Sequence, residues 1–413
     1  MISKLFKNTY FLLVLICFFC LISCSAKNED KKTTSINKNN TANTVFKNEI
    51  IVGANSTELY LPLLKGKKVG IIANQTSVIF NKNGYTHLVD SLLLQNVTIK
   101  KVFSPEHGFR GKADASETVK DGFDAKSGLP IISLYGKNKK PTAEQLNDID
   151  VIVFDIQDVG VRFYTYISTL HYVMEACAES NIPVIVLDRP NPNGHYIDGP
   201  TLQIKHTSFV GMHTVPLVYG MTIGEYAQMI NGENWLKNNV KCNLTIIPLK
   251  NYTHNSSYSL PIRPSPNLPN DMAINLYPSL GFFEGTTINA GRGTENQFQQ
   301  YGAPFFPKSE FSYTPQPNFG SKHPKHESKL CYGVNLKNTP KLNYVNIQWL
   351  IDAYNKTPKN ESFFGSTFTI HAGNTELENQ LKNGLSAKQI HDSWQPEIEK
   401  FKKIRAKYLL YSN

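Results

Sequence analysis

The chain holds 413 residues, 40% of them hydrophobic and 11% aromatic, with a formal charge of +10. That much apolar material fills a large core, so the bulk of the chain is globular. The absence of a long Lys/Arg block excludes a dedicated nucleic-acid binder.

The N-terminus reads as an export signal. Lys4 and Lys7 precede an apolar run over 10–22 that is shorter than the ~20 residues a membrane-spanning helix needs. It closes in Leu21-Ile22-Ser23-Cys24, which reads as a lipobox: a small residue for the peptidase, then a thiol that accepts a diacylglyceryl group. We therefore expect a signal over 1–23, lipidation at Cys24, and a tether over 24–46. The tether is mostly Lys, Asn, Thr, Ser, Glu and Asp, too polar to offset the entropy of ordering it. Lys4 and Lys7 leave with the signal, and the tether sets four lysines against Glu29 and Asp30, so the body carries about +6. Such a mild positive field suits an anionic cell-wall ligand. Cys17 and Cys20 also leave with the signal. Cys177, Cys242 and Cys331 read as buried thiols, with one disulfide among them as the alternative.

From Gly66 short apolar runs alternate with helical spacing. Lys68-Val69-Gly70-Ile71-Ile72-Ala73 is a strand ending at Asn74-Gln75-Thr76. Leu88, Leu92 and Leu93 predict a helix over 84–95. A strand over 97–103 ends at Pro105-Glu106-His107-Gly108, and a strand over 130–134 precedes a helix opened by the Thr142/Gln145 capping box. Val151-Ile152-Val153-Phe154 runs into Asp155-Ile156-Gln157-Asp158. Ile167, Leu170, Met174 and Cys177 share a helix face, a strand over 182–187 ends in Asp188-Arg189-Pro190-Asn191-Pro192, and a helix spans 222–230. This βαβα pattern with continuous apolar strands predicts an α/β fold: a Rossmann-like domain over 47–239 with a mostly parallel sheet. After Asn239 come a strand over 242–249, a proline-rich stretch over 261–269 that runs extended, and strand pieces to about Val334. Helices return at 345–354 and after the Ser386/Gln389 capping box. We read 240–413 as a smaller α+β domain that completes a cleft.

Ligands in open parallel sheets bind outside the carboxyl ends of the strands. Four apolar runs end in polar clusters: Asn74-Gln75-Thr76, Glu106-His107, Asp155-Gln157-Asp158 with Arg162, and Asp188-Arg189 with Asn191. In parallel strands these converge on one rim. No GxGxxG, GxxxxGK[ST] or GxSxG marks a dinucleotide, a triphosphate or a serine nucleophile. No HExxH or His/Cys quartet marks a metal, so no cofactor is expected. What remains is acid–base work by carboxylates. Glu106 leads, because a carboxyl group partly desolvated at a strand end keeps the proton a general acid needs. Asp155, Asp158, Glu117 and Glu284 are candidates for a second carboxylate, while Glu175 and Glu225 read as structural. Phe163-Tyr164-Thr165-Tyr166 beside Asn, Gln and Arg suits sugar binding, with a plain core role for alternate residues as the other reading.

Several strings resemble one bacterial family. They are Ser104-Pro105-Glu106-His107-Gly108-Phe109-Arg110-Gly111, Phe154-Asp155-Ile156-Gln157-Asp158-Val159-Gly160-Val161-Arg162-Phe163-Tyr164-Thr165-Tyr166, and Leu187-Asp188-Arg189-Pro190-Asn191-Pro192. Pro264-Ser265-Pro266-Asn267-Leu268-Pro269, Phe283-Glu284-Gly285-Thr286 and Gly291-Arg292-Gly293-Thr294 add to them. Over about 48–411 the chain is similar to the exo-β-N-acetylmuramidases of the NamZ type. The resemblance implies a glycoside hydrolase that removes terminal N-acetylmuramic acid from the non-reducing end of peptidoglycan fragments, with its site in a cleft between two domains. It implies Glu106 as the principal catalytic carboxylate. Asp155 and Asp158 are the candidates beside it. Asn74, His107, Arg110, Gln157, Arg162, Tyr164, Asn191, Glu284 and Arg292 are expected to bind substrate, Arg292 and Arg162 through the lactyl carboxylate. Two positions depart from the family pattern: Ser116, where we expect Gly, and Tyr219, where many relatives carry His and where cleft lining is expected to change. Partners are then peptidoglycan-derived saccharides and, through the lipid alone, a membrane. The competing readings are a non-catalytic muropeptide- or glycan-binding lipoprotein on the same fold and a metal-dependent hydrolase. Glycosidase carboxylates stand ~5–5.5 Å apart when retaining and ~6.5–9.5 Å apart when inverting, a distance no sequence contains.

Overall fold

Runs as apolar as Lys68–Ala73, Val151–Asp155 and Val184–Leu187 fit strands covered on both faces. In the computed structural model they are the centre of one sheet. The structure describes residues 49–111 and 121–413; the signal, Cys24, the tether, Ser116 and Glu117 lie outside the described residues. In chain order come α1 (Thr57–Leu64), β1 (Lys68–Ala73), β2 (Val78–Asn81), β3 (Gly84–His87), α2 (Leu88–Leu94) and β4 (Thr98–Ser104). Then follow β5 (Gly122–Phe123), β6 (Pro130–Ser133), α3 (Ala143–Leu146), β7 (Val151–Asp155), α4 (Tyr166–Glu179), β8 (Val184–Leu187), α5 (Ile223–Gly232) and β9 (Leu244–Ile247).

Seven strands form the main sheet in the order β5-β6-β4-β1-β7-β8-β9. All pair in parallel except the two-residue β5, which is antiparallel to β6. The chain works outward from β1 through β4 to β6, then returns to the other side of β1 with β7, β8 and β9. That reversal is a topological switch point, and the crevice it opens lies outside the carboxyl ends of β4, β1 and β7. Neighbouring residues along each strand enter opposite cores: Ile71, Val153 and Ile185 on one face, Ile72, Ile152 and Val184 on the other.

The second core continues into the C-terminal part of the chain. Here α6 (Asp271–Leu280) precedes a three-stranded antiparallel sheet of β10 (Gln300–Ala303), β11 (Ser312–Tyr313) and β12 (Cys331–Asn335), with β12 in the middle. Helices α7 (Gln348–Lys356), α8 (Phe368–Ala372), α9 (Glu376–Lys382) and α10 (Ala387–Arg405) follow. Leu170 of α4, Leu280 of α6, Phe368 of α8 and Trp394 of α10 all belong to this core. The described residues make one compact unit. Among the described residues no helix is long and apolar enough to cross a membrane.

The capping boxes at Thr142/Gln145 and Ser386/Gln389 form as expected. Glu225 closes a third with Thr222 at the head of α5. Cys177, Cys242 and Cys331 are buried free thiols. Two elements differ from expectation. Residues 84–87 are not helical: Gly84, at φ 125°, turns a β2–β3 hairpin, and the helix starts only where the leucine spacing does. Helix α6 lies where only strands and loops were expected. Asn270, whose side chain accepts the Ala273 N–H at 2.9 Å, starts it just beyond the prolines. The strand over 244–247 pairs in parallel with β8 and forms the edge of the main sheet.

Candidate active site

The turn that leaves β4 sets the site. Gly108 N–H donates to the Pro105 carbonyl at 3.1 Å, and His107 and Gly108 both take positive φ, 73° and 77°. Histidine enters that region more often than most side chains, and here the turn places both Glu106 and His107 on the wall of a cleft of about 410 Å³. That volume is in the range of small-ligand sites, ~300–1,000 Å³. Thr165, the residue before α4, makes no side-chain cap to its helix. Its hydroxyl donates instead to Glu106 Oε2 at 3.3 Å, which ties the carboxyl group to the residue that heads α4.

The opposite wall comes from the C-terminal part. The 3-10 turn Gly281–Gly285 carries Glu284, whose Oε2 accepts from Arg292 Nη1 at 2.8 Å. Arg292 also donates to the Gly320 carbonyl at 3.1 Å. Beneath them the Lys325 ammonium donates to the carbonyls of Phe283 (2.7 Å), Glu284 (3.1 Å) and Thr286 (2.6 Å). Burial pushes the Glu284 carboxyl up, but the charges of Arg292, Lys325 and His371 outweigh it and hold the group below its ordinary value. Glu284 is thus a standing anion, unsuited to donate a proton. Tyr277 and Phe298 pack edge to face at 4.8 Å on this side, giving the apolar ring faces that sugar CH groups need. The proline-rich stretch closes the floor. Tyr164 donates to the Pro264 carbonyl at 2.7 Å, and Gln75 Nε2 reaches the carbonyls of Arg263 and Pro264 at 3.1 Å each. Behind it Asn267 Nδ2 donates to the Gly320 carbonyl at 2.6 Å. Its buried Oδ1 has no hydrogen-bond partner among the described residues, and Asn267 lines the cleft.

Of the residues singled out in the sequence, Glu106, His107, Tyr164, Glu284 and Arg292 line this cleft. The other clusters sit at neighbouring strand ends but turn inward and bind one another. Asn74 donates to the Tyr166 hydroxyl at 2.9 Å. Gln157 Nε2 donates to the carbonyls of Asp158 and Pro190, both at 2.7 Å, and Asn191 Nδ2 to that of Met221 at 2.9 Å. Arg110 is held by Asp124 (2.8 Å) and Asp90 (3.1 Å). Asp155, fully buried, forms a two-point ion pair with Arg189 at 2.6 and 2.8 Å, so its catalytic reading gives way to a structural one. Asp158 is buried against the Tyr219 hydroxyl and the Gly160 N–H, and neither Asp158 nor Tyr219 reaches the cleft. Arg162 is corrected most sharply. Its Nη1 donates to the carbonyls of Pro200 (2.5 Å) and Val215 (3.0 Å), and its Nη2 to those of His371 (3.1 Å) and Ala372 (2.8 Å). A guanidinium so enclosed, at 0% exposure, has no face for a lactyl carboxylate.

Residues 69–272 match the family model for the exo-beta-N-acetylmuramidase NamZ, N-terminal part, and residues 275–411 the model for its C-terminal part. This chain belongs to the NamZ exo-β-N-acetylmuramidase family. It is 39% identical over 378 residues, 85% of this chain and 89% of the relative, to the peptidoglycan beta-N-acetylmuramidase NamZ of Bacillus subtilis (strain 168). Two crystal structures of DUF1343 family proteins from Bacteroides fragilis NCTC 9343 share the fold. One has a TM-score of 0.81 at 44% identity, the other 0.75 at 28%, and each comparison covers 88% of this chain and 99% of the other.

For a NamZ-family chain the sequence reading left out several cleft residues. Thr165 stood inside the segment read for sugar binding and not as a partner of Glu106. Asn267 was in the Pro264–Pro269 string, read only as extended chain. Tyr277, Phe298 and His371 carried no local signal. Among the described residues no three His, Cys, Asp or Glu side chains come together as a metal-binding group.

Asp158 gives a pH expectation. Burial pushes its carboxyl up to about 6, against the pull of the Tyr219 hydroxyl and the Gly160 and Val159 N–H groups. A folded-state value above the unfolded one, 3.8, means the contribution to stability is complete below about pH 4 and lost as pH rises through about 6. Asp158→Asn removes that titration. Its stability relative to the parent is expected to climb by about 3 kcal/mol between pH 4 and 7. Denaturant unfolding at four pH values checks this, and parallel curves for the two proteins would refute it.

Proposed function

We propose that this protein is an exo-acting β-N-acetylmuramidase that releases terminal N-acetylmuramic acid from the non-reducing end of peptidoglycan fragments during cell-wall turnover. One observation carries the reading: in a NamZ-family chain, Glu106 of the Pro105-Glu106-His107-Gly108 turn is fixed by Thr165 on the wall of a saccharide-sized cleft. In the reaction Glu106 gives a proton to the glycosidic oxygen as the bond from that oxygen to the anomeric carbon breaks. The aglycone leaves as an alcohol, water supplies the new hydroxyl on the anomeric carbon, and the remaining proton of that water restores the acid form of Glu106. Glu284 and the aromatic rings are placed to hold the sugar, and the Asn267 Oδ1 acceptor suits an acetamido N–H or a hydroxyl.

Release of chromophore from a β-N-acetylmuramic acid glycoside, but not from its N-acetylglucosamine counterpart, is the expected result with the body from about Lys47. Binding of muramic saccharides without turnover would instead favour the binding-lipoprotein reading. The same proposal places the protein in the cell envelope, anchored by lipid on Cys24. Labelling with a radioactive fatty acid is expected to mark the parent and not Cys24→Ala, with kcat/KM unchanged. Label on both proteins, or on neither, would remove the lipid anchor from Cys24.

A further inference from the structure

An anionic sugar in this cleft needs a cation that is held in place and not already neutralised. Neither arginine suggested by the sequence meets both conditions. Arg162 is enclosed by carbonyls, and Arg292 is paired with Glu284 at 2.8 Å. Lys139 meets them. It lies beyond β6, half-buried, on the wall of the same cleft as Glu106. Its Nζ stands 4.6 Å from the centroid of the Phe209 ring, which stacks on Tyr172 at 6.2 Å and 12°. Tyr172 belongs to α4, the helix headed by Thr165, whose hydroxyl binds Glu106. The ammonium and the carboxyl group are therefore both referenced to one rigid element. Among the described residues Lys139 has no carboxylate partner. Its neighbour Lys140, by contrast, is paired with both Glu175 and Glu179 at 2.7 Å.

We infer that Lys139, held by the Phe209–Tyr172 stack, receives the carboxylate of the muramic lactyl ether and sets the preference for muramic over glucosamine saccharides. The ring stack restricts a side chain that otherwise loses much rotamer freedom on binding, so the cation is presented rather than recruited. The inference rests on the muramidase reading.

The test compares a chromogenic β-N-acetylmuramic acid glycoside with its lactyl methyl ester, which keeps the ether and the carbonyl and replaces the charge by one methyl group. The parent protein is expected to favour the acid over the ester by about 10- to 100-fold in kcat/KM, the worth of one charged hydrogen bond. Lys139→Met keeps the stem against Phe209 and removes the charge. It is expected to lose that preference, chiefly through KM, and to cleave the ester as the parent does, while Lys139→Arg keeps part of the preference. A Lys139→Met protein that still prefers the acid, or that loses acid and ester equally, would overturn the assignment. Calorimetric titration with free N-acetylmuramic acid and its methyl ester asks the same question without turnover. If the parent cleaves neither glycoside the muramidase reading fails, and the titration still decides. A preference for the acid that Lys139→Met abolishes supports the inference; an unchanged preference, or none in the parent, overturns it.

Discussion

Glu106→Gln is expected to lower kcat/KM by about 10²–10⁴-fold, the scale of general acid catalysis, with the melting temperature unchanged. The amide has the shape of the carboxyl group, and its oxygen still accepts from Thr165 Oγ1, now 3.3 Å from Oε2. Glu106 is only half-buried, so the change leaves no buried charge without a partner. What is lost is the proton. A substrate whose leaving group needs no protonation, such as a dinitrophenyl glycoside, is therefore expected to recover most of the rate. Equal losses on good and poor leaving groups would make Glu106 a binding residue, and near-parental turnover on both would remove it from the reaction.

Asp155→Ala is expected to behave in the opposite way. Removing the carboxylate strands the Arg189 guanidinium, which is 3% exposed and whose remaining contact is to the Val78 carbonyl at 2.9 Å. Breaking a buried pair by deleting one partner costs about 3–5 kcal/mol, read as a drop in the urea midpoint. Because Asp155 lies behind the cleft, kcat/KM per folded molecule is expected to stay within a few-fold of the parent. A protein of unchanged stability with a large loss of rate would return Asp155 to the catalytic set. Together the two substitutions separate rim residues that face the ligand from rim residues that hold the rim.

That separation marks what the sequence could and could not reveal. The parallel sheet was legible because a strand buried on both faces must be apolar at every position, as at Val184–Leu187. The switch point followed, and with it the turn that bears Glu106 and His107. The direction of a polar side chain at a strand end was not legible. Asp155, Asp158 and Glu106 all follow apolar runs, yet two turn into the protein and one into the cleft, and the choice depends on partners such as Arg189 and Tyr219 that are remote in sequence. The opposite wall was legible only as family strings. Tyr277 sits on a helix that the prolines before it concealed, and His371 and Phe298 have no neighbours in sequence that share their role.

The enclosure of Arg162 has a consequence for the order in which the protein matures. Its guanidinium collects carbonyls 38, 53, 209 and 210 residues further along the chain. Contacts over such spans form slowly, because loop-closure entropy is spent before they reward it. Until residues 371 and 372 arrive, Nη2 of the arginine has only water to bind. The main sheet can assemble from early segments, but the cleft is finished by nearly the last ones. A folding chain therefore passes through a period in which its sheet is compact while its cleft is still unfinished.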